Sequence, residues 1–296
     1  MKKIKLFSTF IIASMAIGFI GCKSNTTEPL PPIGGYNSAD EVAKADLVAY
    51  WPLNGNGIES LSSAAPATTK NVTWTDGVKG QAASFNVGFL AYNAIANLGT
   101  NLQSGFTISA WIKLTNNSDK GNSSSVILSL SRPNEWAGNI NFMSETAWMP
   151  STSDSITVKG LLVSSTDLGW QDTRNTVKAN AADIAAGHVA YPNKIGGKWA
   201  HAVYTWDNTT RLAKIYVNGV KISNPVWEAR GAAGQTFAMT TPTHPIIGAF
   251  ETFANGTTTD AWNSGLIGQL DEIRVWKRAL ILSDIGALYE LEKAGR

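Results

Sequence analysis

The chain has 296 residues, with 24 Lys or Arg against 22 Asp or Glu, so its formal charge at pH 7 is +2. Charged residues make up only 16% of it, while eleven residues are tryptophan and one is cysteine. This composition excludes an intramolecular disulfide and a cysteine-based metal cage. The near balance of charge argues against nucleic acid as a partner and against membrane binding by charge alone.

The N-terminus has the form of a bacterial lipoprotein signal. Three lysines precede an apolar run, Leu6 to Ile20, that is too short and wrongly flanked for a membrane-spanning helix. Cleavage before Cys22 would leave 21 basic against 22 acidic residues, a net charge of −1. An ordinary secretory signal or a short anchor is the alternative. We predict a signal peptide at 1–21 and outer-membrane attachment only through lipid on Cys22, at the cell surface rather than the periplasmic face.

Residues 22–37 are predicted to form a flexible tether, because they are polar, carry several prolines and glycines and have little to bury. A single domain at 38–296 is predicted to follow. It opens with Ser38-Ala39-Asp40-Glu41, which has the form of a capping box and favours a short helix through about Ala45.

From Leu47 onward the pattern is typical of strands. Residues 106–114 alternate so that Phe106 and every second residue after it form one apolar face. Asn218-Gly219 predicts a hairpin, because both residues tolerate positive φ. Near the end, Ser283 is expected to cap a helix over Asp284–Lys293. Many short strands separated by turns indicate two packed antiparallel sheets. The further strands are predicted at Val126–Ser131, Asn139–Met143, Gly160–Ser165, Trp199–Trp206, Pro245–Gly248 and Leu266–Trp276.

Five segments follow one another along the chain: Leu47–Leu53, Gly77–Asn86 with its Gly-x-x-Gly-x-Ala-x-x-Phe pattern, Phe106–Trp111, Lys198–Val203 with the hairpin after it, and Ile267–Leu280. Together, over residues 47–291, they resemble one family, the laminin-G-like, concanavalin A-like jelly roll of bacterial (Bacteroidetes-type) surface lipoproteins. The resemblance implies an all-β, two-sheet antiparallel jelly-roll sandwich with short N- and C-terminal helices. It implies no particular activity, because this fold hosts lectins, adhesion modules and glycan-cleaving enzymes.

Many members of that family carry an acidic stretch after the opening strand that is associated with calcium. Here only Glu59 and Ser60 resemble it. Calcium takes six to eight oxygens, including carboxylates. Asp271 is a further candidate ligand, and its alternative role is to hold local backbone amides at a strand end. A calcium site with Asp271 and Glu59 among its ligands is therefore left open, and no other cofactor is expected.

No catalytic constellation is recognisable in the sequence. Glucan-cleaving enzymes of this fold use a Glu-x-Asp-x-x-Glu strand that sets three carboxylates on one face, and this chain contains no Glu-x-Asp. The adjacent Asp271 and Glu272 are expected to point to opposite faces of a strand. The three histidines lack metal-like spacing, and His201 is expected to be packed within a strand. We therefore predict that the protein is not an enzyme.

Tryptophans supply the candidate binding residues. A tryptophan in a loop offers a flat face to a sugar ring, while nearby polar side chains can read the hydroxyls. The alternative is that long loops bury their own tryptophans as satellite clusters. Of the candidates, Trp136, Trp148 and Trp170 are expected to share one rim. The full set comprises Trp136, Trp148, Trp170, Trp227 and Trp262, with Glu135 and Asp172 as the chief polar candidates beside Asn134, Glu145, Gln171 and Asn263.

Together these features predict a lipid-anchored, extracytoplasmic protein that captures polysaccharide or oligosaccharide for neighbouring glycan-uptake or degradation proteins. A tether suits a weak binder, because confinement raises effective concentration. Two alternatives stay open. One is a glycoside hydrolase or polysaccharide lyase with a non-standard site, and the other is an adhesion module that binds protein.

Overall fold

The computed structural model describes residues 30–176 and 193–296. The chain divides into two units, Met1–Pro31, of which only the last two residues are described, and Pro32–Arg296, which holds every element below. The predicted signal peptide, Cys22 and most of the predicted tether therefore lie outside the described residues, as does His188.

The described residues form thirteen strands, β1 to β13 in chain order, and two α-helices, α1 and α2. The strands span Leu47–Trp51, Thr68–Asp76, Gln81–Ala91, Gly105–Lys113, Ser125–Leu130, Ile140–Ser144, Val158–Val163, Trp170–Arg174, Ala200–Asp207, Leu212–Val217, Val220–Lys221, Pro245–Ile247 and Leu266–Trp276. The α-helices span Glu251–Ala254 and Leu282–Lys293, and short 3-10 turns lie at Ala39–Glu41, Lys44–Asp46, Ala96–Leu98, Thr100–Leu102, Thr146–Trp148 and Pro225–Trp227.

All strand pairs are antiparallel, and they form one continuous path, β11-β10-β9-β4-β13-β3-β12-β5-β6-β7-β8, with β1 beside β13 and β2 beside β3. The sheet curls so that its two halves face each other. The ring of Tyr204 in β9 stacks on that of Phe142 in β6, with centroids 6.0 Å apart. A Cβ at Gly160 in β7 would overlap the Tyr204 ring, so only glycine allows this close approach. The predicted all-β jelly-roll sandwich is confirmed.

The alternation predicted for residues 106–114 is confirmed in β4. Its apolar face, from Phe106 to Leu114, lies in the main core between the two halves of the sheet. The opposite face is also buried, because α2 packs across it: Trp111 Nε1 donates a hydrogen bond of 2.8 Å to Glu292. The hairpin at Asn218-Gly219 is confirmed as well, with φ of 50° and 76° at its two turn residues. The other predicted strands all occur within a few residues of their expected bounds.

Both helix caps predicted from the sequence are wrong. Instead of a helix from Ser38 to Ala45, the chain forms two 3-10 turns, and the Ser38 side chain makes no capping bond. Glu41 accepts a hydrogen bond from the backbone of Asn37 rather than from a cap residue. At the C-terminus, α2 begins before Ser283, so that serine is not its cap.

The last residues of the predicted tether belong to the folded unit. Ile33 and Tyr36 close a turn with reciprocal backbone hydrogen bonds, and both pack against the buried face of α2. The Tyr36 hydroxyl donates to Asp284 in the first turn of that helix at 3.0 Å. Within the described residues, no helix has the length and hydropathy needed to cross a membrane.

Candidate functional site

The outer face of the β5–β8 half of the sheet carries an unusual mixture of aromatic and charged residues. In β7, Val158 and Leu162 point into the main core, so Lys159, Leu161 and Val163 point outward. The register places the outward residues of β8 directly opposite these three. Val163 pairs with Trp170, Leu161 with Asp172 and Lys159 with Arg174.

Trp136, from the β5–β6 connection, is the centre of an aromatic cluster over this face. Its ring centroid lies 5.4 Å from that of Trp170 and 5.1 Å from those of Trp262 and Phe250. These rings rest on outward apolar side chains of β5, β6 and β7. Tilted and edge-to-face contacts of this kind add to the stabilisation from apolar burial, so the four rings form one packed aromatic platform.

Buried amides hold the loops that carry these rings. Asn141 of β6 accepts a hydrogen bond from the Gly138 backbone at 2.9 Å and donates one to its carbonyl at 2.8 Å, which fixes the loop of Trp136. Asn263 donates to Thr252 in α1 at 2.8 Å and fixes the loop of Trp262. Asn263 is buried, so it supports the site rather than facing a ligand.

The platform is one wall of a pocket, here called the tryptophan pocket, with a volume of about 370 Å³. This volume is within the usual range of small-molecule sites. The lining residues are Trp136, Trp148, Trp262, Phe250, Met143, Ala147, Asn122, Ser124, Glu145 and Lys159.

Lys159 is the polar centre of the pocket. Its ammonium group lies 3.0 Å from a Glu145 oxygen and 3.1 Å from an Asp172 oxygen. Ser124 Oγ donates to the other oxygen of Glu145 at 2.8 Å. The Lys159 and Glu145 side chains are only 14% and 10% exposed. Charged groups that are so buried are stable only when they are paired. Lys159 and Glu145 are paired with each other, and each has a further partner, Asp172 or Ser124.

The aromatic surface continues past the pocket through Arg174. The guanidinium carbon lies 4.8 Å from the ring centroid of Trp148 and 4.9 Å from that of Trp227. The Arg230 guanidinium carbon lies 5.3 Å from the same Trp227 ring. Local turns position both rings. Trp148 ends a 3-10 turn held by the buried Thr146, and Trp227 ends one in which a backbone amide bonds the Asn224 side chain.

The structure thus gathers every tryptophan predicted for the site. Trp136, Trp148 and Trp262 line the tryptophan pocket. The Trp170 ring contacts that of Trp136. Trp227 is connected to the pocket residue Trp148 by the Arg174 guanidinium, which contacts both rings. The two chief polar candidates lie outside the pocket lining: Asp172 forms an ion pair with Lys159, and the exposed Glu135 lies 3.5 Å from Arg132. Trp148 and Trp170 as whole residues are 48% and 51% exposed. Sugar binding by these residues stays a prediction.

Two details differ from the sequence-based expectation. Trp170 does not lie in a loop, because it is the first residue of the edge strand β8. Phe250, Lys159 and Arg174 were not predicted as members of the site. The signal for Arg174 was the alternation from Trp170 through Asp172, which marks a strand with these three side chains on one face.

The two candidate calcium ligands have protein partners. The buried Glu59 carboxylate accepts hydrogen bonds from the backbone amides of Tyr50, Leu61 and Ser62. The Asp271 carboxylate accepts hydrogen bonds from the backbone amides of Val78 and Lys79. Holding local backbone amides is the alternative role that the sequence suggests for it. Burial raises the pKa of Asp271 to about 7, against the opposing effect of the Lys79 amide. Among the described residues, no cluster of three or more His, Cys, Asp or Glu side chains is arranged to hold a metal ion. Calcium binding stays a prediction.

Glu272, the neighbour of Asp271, is held in a bulge of β13. Its φ is 49°, and the register with β4 shifts between Asp271 and Arg274. Its carboxylate accepts hydrogen bonds from the Tyr50 hydroxyl and from Arg274. Asp271 and Glu272 therefore bond to different protein groups, and both sets of hydrogen bonds stabilise the fold.

Comparison with known proteins places the chain by fold. A laminin-G-type family model, described as the concanavalin A-like lectin/glucanases superfamily, matches residues 90–286, about two-thirds of the chain. No curated protein is similar enough in sequence to count as a relative.

Several solved structures are similar in fold. The binding domain of Paraclostridial Mosquitocidal Protein 1 has a TM-score of 0.56 at 14% identity, over 83% of this chain and 52% of that one. Domain 4 of AbnA, an extracellular arabinanase from Geobacillus stearothermophilus in complex with arabinotriose, has a TM-score of 0.50 at 17% identity, over 82% and 98%. The binding domain of botulinum neurotoxin DC in complex with SialylT has a TM-score of 0.52 at 13% identity, over 86% and 52%. This chain spans about half the length of the toxin domains that it matches.

Proposed function

This chain belongs to the concanavalin A-like lectin/glucanases superfamily, and we propose that it binds extracellular carbohydrate in the tryptophan pocket without cleaving it. The observation that carries the proposal is the convergence of five tryptophans, distant in sequence, on one face of the sheet. A core that only needed apolar volume would bury these rings. Two of them instead expose about half of their surface beside a polar pocket.

The chemistry of the pocket suits a sugar. An indole face packs against the C–H face of a pyranose ring. Charged or amide groups at the edge of that ring form hydrogen bonds with its hydroxyl groups. Trp136 and Trp262 lie in loops that buried amide side chains hold in place, so they need little ordering on binding, which limits the entropic cost. Asn122, Ser124 and Glu145 offer the polar contacts. The arabinotriose and SialylT complexes of fold neighbours are compatible with such a role.

Binding is favoured over cleavage by the state of the acids at the pocket. Glu145 and Asp172 both contact the ammonium group of Lys159. Glycosidases need one carboxyl group as a proton donor and a second as nucleophile or base. Two carboxylates that share one lysine are poorly suited to either task. Measurable release of reducing sugar or unsaturated product, lost in Glu145→Gln or Asp172→Asn, would establish the hydrolase or lyase alternative instead.

The proposal includes the setting predicted from the N-terminal sequence. A lipid on Cys22 would hold the pocket at the outer membrane, beside proteins that import or degrade the captured glycan. Many anchored copies that bind one polymer gain avidity without any new contact. Weak binding by each pocket is then sufficient.

A glycan array with matched variants tests the proposal. Trp136→Ala removes the centre of the platform, and we expect at least a tenfold loss of affinity for the glycans that the wild type retains. Trp148→Ala and Trp170→Ala should each cost about 1–3 kcal/mol, as truncated anchor residues do. Trp199→Ala is the control, because Trp199 is partly exposed and lies outside the pocket lining.

Circular dichroism and thermal melting must first show that each variant is folded. Equal glycan binding by the wild type and all three pocket variants would refute the site. If the wild type binds no glycan on the array but does bind a protein partner, the adhesion alternative is favoured.

A further inference from the structure

Two cations lie directly opposite each other on the face that carries the tryptophan pocket. Lys159 of β7 is the register partner of Arg174 in β8, so both side chains point to the same side. Facing like charges destabilise a sheet pair. Lys159 is compensated by Glu145 and Asp172. Among the described residues, no carboxylate lies within ion-pair distance of Arg174.

The remaining charges on this face do not supply a partner for Arg174. Arg132 contacts Glu135 at 3.5 Å. Arg230 donates a hydrogen bond to the backbone oxygen of Val226 at 2.7 Å, and in the described part of the chain it has no carboxylate within ion-pair distance. Burial lowers the pKa of Arg230, against the opposing effect of the Asp172 carboxylate. Arg174 and Arg230 therefore lack a carboxylate at ion-pair distance among the described residues. The charges named on this face are four basic and three acidic, which leaves an excess of one cation.

The geometry of Arg174 leaves its hydrogen-bond donors available. Trp148 and Trp227 each lie within 5 Å of the guanidinium carbon. Cation–π contacts of this kind hold the guanidinium in place. None of its N–H groups bonds to a described residue, and none of its nitrogens is both buried and unpaired. These donors are therefore at least partly accessible to solvent, although Arg174 as a whole is half-buried. A guanidinium fixed by rings and open at its edge is suited to bidentate binding of a carboxylate or sulfate.

Arg174 is also close enough to the pocket to act on the same ligand, because Trp148 both lines the pocket and contacts Arg174. A sugar stacked on the tryptophans would carry its substituents toward this guanidinium. We propose that the site is specific for an acidic glycan, whose carboxylate or sulfate group is bound by Arg174 beside Lys159. This inference rests on the proposed carbohydrate-binding function and names the class of its ligand.

The experiment uses polymers that differ only in charge. Affinity electrophoresis and calorimetry compare polygalacturonate with its fully methyl-esterified form, which keeps the sugar and removes the carboxylate. Dextran sulfate and dextran form the corresponding sulfate pair. We expect the wild type to bind one acidic polymer at least tenfold more tightly than its neutral partner, with affinity falling as salt rises. Whether the carboxylate or the sulfate polymer binds identifies the source of the charge.

Arg174→Gln should lose at least tenfold affinity for the acidic polymer, and Arg174→Lys should lose part of it, because it keeps the charge without the planar fork. Lys277→Gln removes the same charge from an exposed position outside the pocket and should change affinity less than twofold. Equal losses in Arg174→Gln and Lys277→Gln would refute a specific role for Arg174.

The two proposals fail in different ways. If the wild type binds a neutral polymer as tightly as the acidic one, and Trp136→Ala abolishes that binding while Arg174→Gln retains it, the carbohydrate function stands and the acidic specificity is refuted. If the wild type binds neither polymer of either pair nor any array glycan, both proposals are refuted.

Discussion

At the scale of single residues, His201 shows how this fold controls charge. It is fully buried in β9, where its ring stacks on that of Tyr289 and lies tilted against that of Trp111. Its Nε2 lies 3.5 Å from Glu292, which would suggest an ion pair. Burial, with a smaller effect of the Arg274 cation, instead lowers the pKa of His201 to about 3. The imidazole is therefore neutral in the native protein, as its expected packed role requires.

This pKa predicts a dependence of stability on pH. Between about pH 6.5 and pH 3 the unfolded chain binds a proton at His201 that the folded chain does not, so the free energy of unfolding falls as pH falls. We expect the wild type to lose up to about 1.4 kcal/mol per pH unit relative to His201→Phe, which cannot titrate. Urea unfolding of both proteins across this pH range measures the difference. Parallel stability curves would show that His201 does not carry the effect.

At the scale of elements, α2 is attached to the sheet by a buried ionic centre. Arg274 of β13 donates hydrogen bonds of 2.9 Å to Glu292 of α2, 2.9 Å to Glu272 and 2.8 Å to Asp40. Its guanidinium carbon also lies 3.7 Å from the ring centroid of Tyr50. One residue therefore links β13, α2 and the N-terminal turns.

Removing this centre should loosen the helix. Arg274→Met leaves two buried carboxylates without their cation, and we expect a loss of about 3–5 kcal/mol in the free energy of unfolding. Lys293→Ala in the same helix is the control, because its contact with Glu290 is exposed, and it should change stability by less than about 0.5 kcal/mol. Chemical denaturation gives both values. A loss below about 1 kcal/mol for Arg274→Met would mean that apolar packing alone holds α2.

The elements also show what the sequence can predict. The strands were predicted well, because alternation is a local signal and one side chain in two reaches the core. The caps failed for two local reasons: Glu41 bonds the backbone of the neighbouring Asn37 instead of a cap residue, and α2 begins one residue before Ser283. The tryptophans of the site could be proposed by residue type. Their convergence, and the opposition of Lys159 and Arg174, depend on strand register, which no short segment of sequence determines.

At the scale of the whole molecule, the proposed binding and the predicted anchoring can be separated. Every residue of the tryptophan pocket lies in the unit Pro32–Arg296, whereas Cys22 precedes it. We expect Cys22→Ala in the full chain to abolish incorporation of labelled palmitate and to move the protein from the membrane to the soluble fraction. Its affinity for a short oligosaccharide should be unchanged, because one pocket binds one such ligand with or without lipid.

Binding to a long polymer should respond differently. Several anchored copies of the protein can bind one polysaccharide molecule at the same time. Cells that display the wild type should therefore retain the polysaccharide at least tenfold more tightly than soluble Cys22→Ala binds it. Fractionation, palmitate labelling and calorimetry with short and long ligands measure the three effects separately. A wild-type protein that takes no lipid would refute the anchor and leave the pocket untouched. Weaker binding of the short ligand by Cys22→Ala would instead show that the N-terminal segment takes part in recognition.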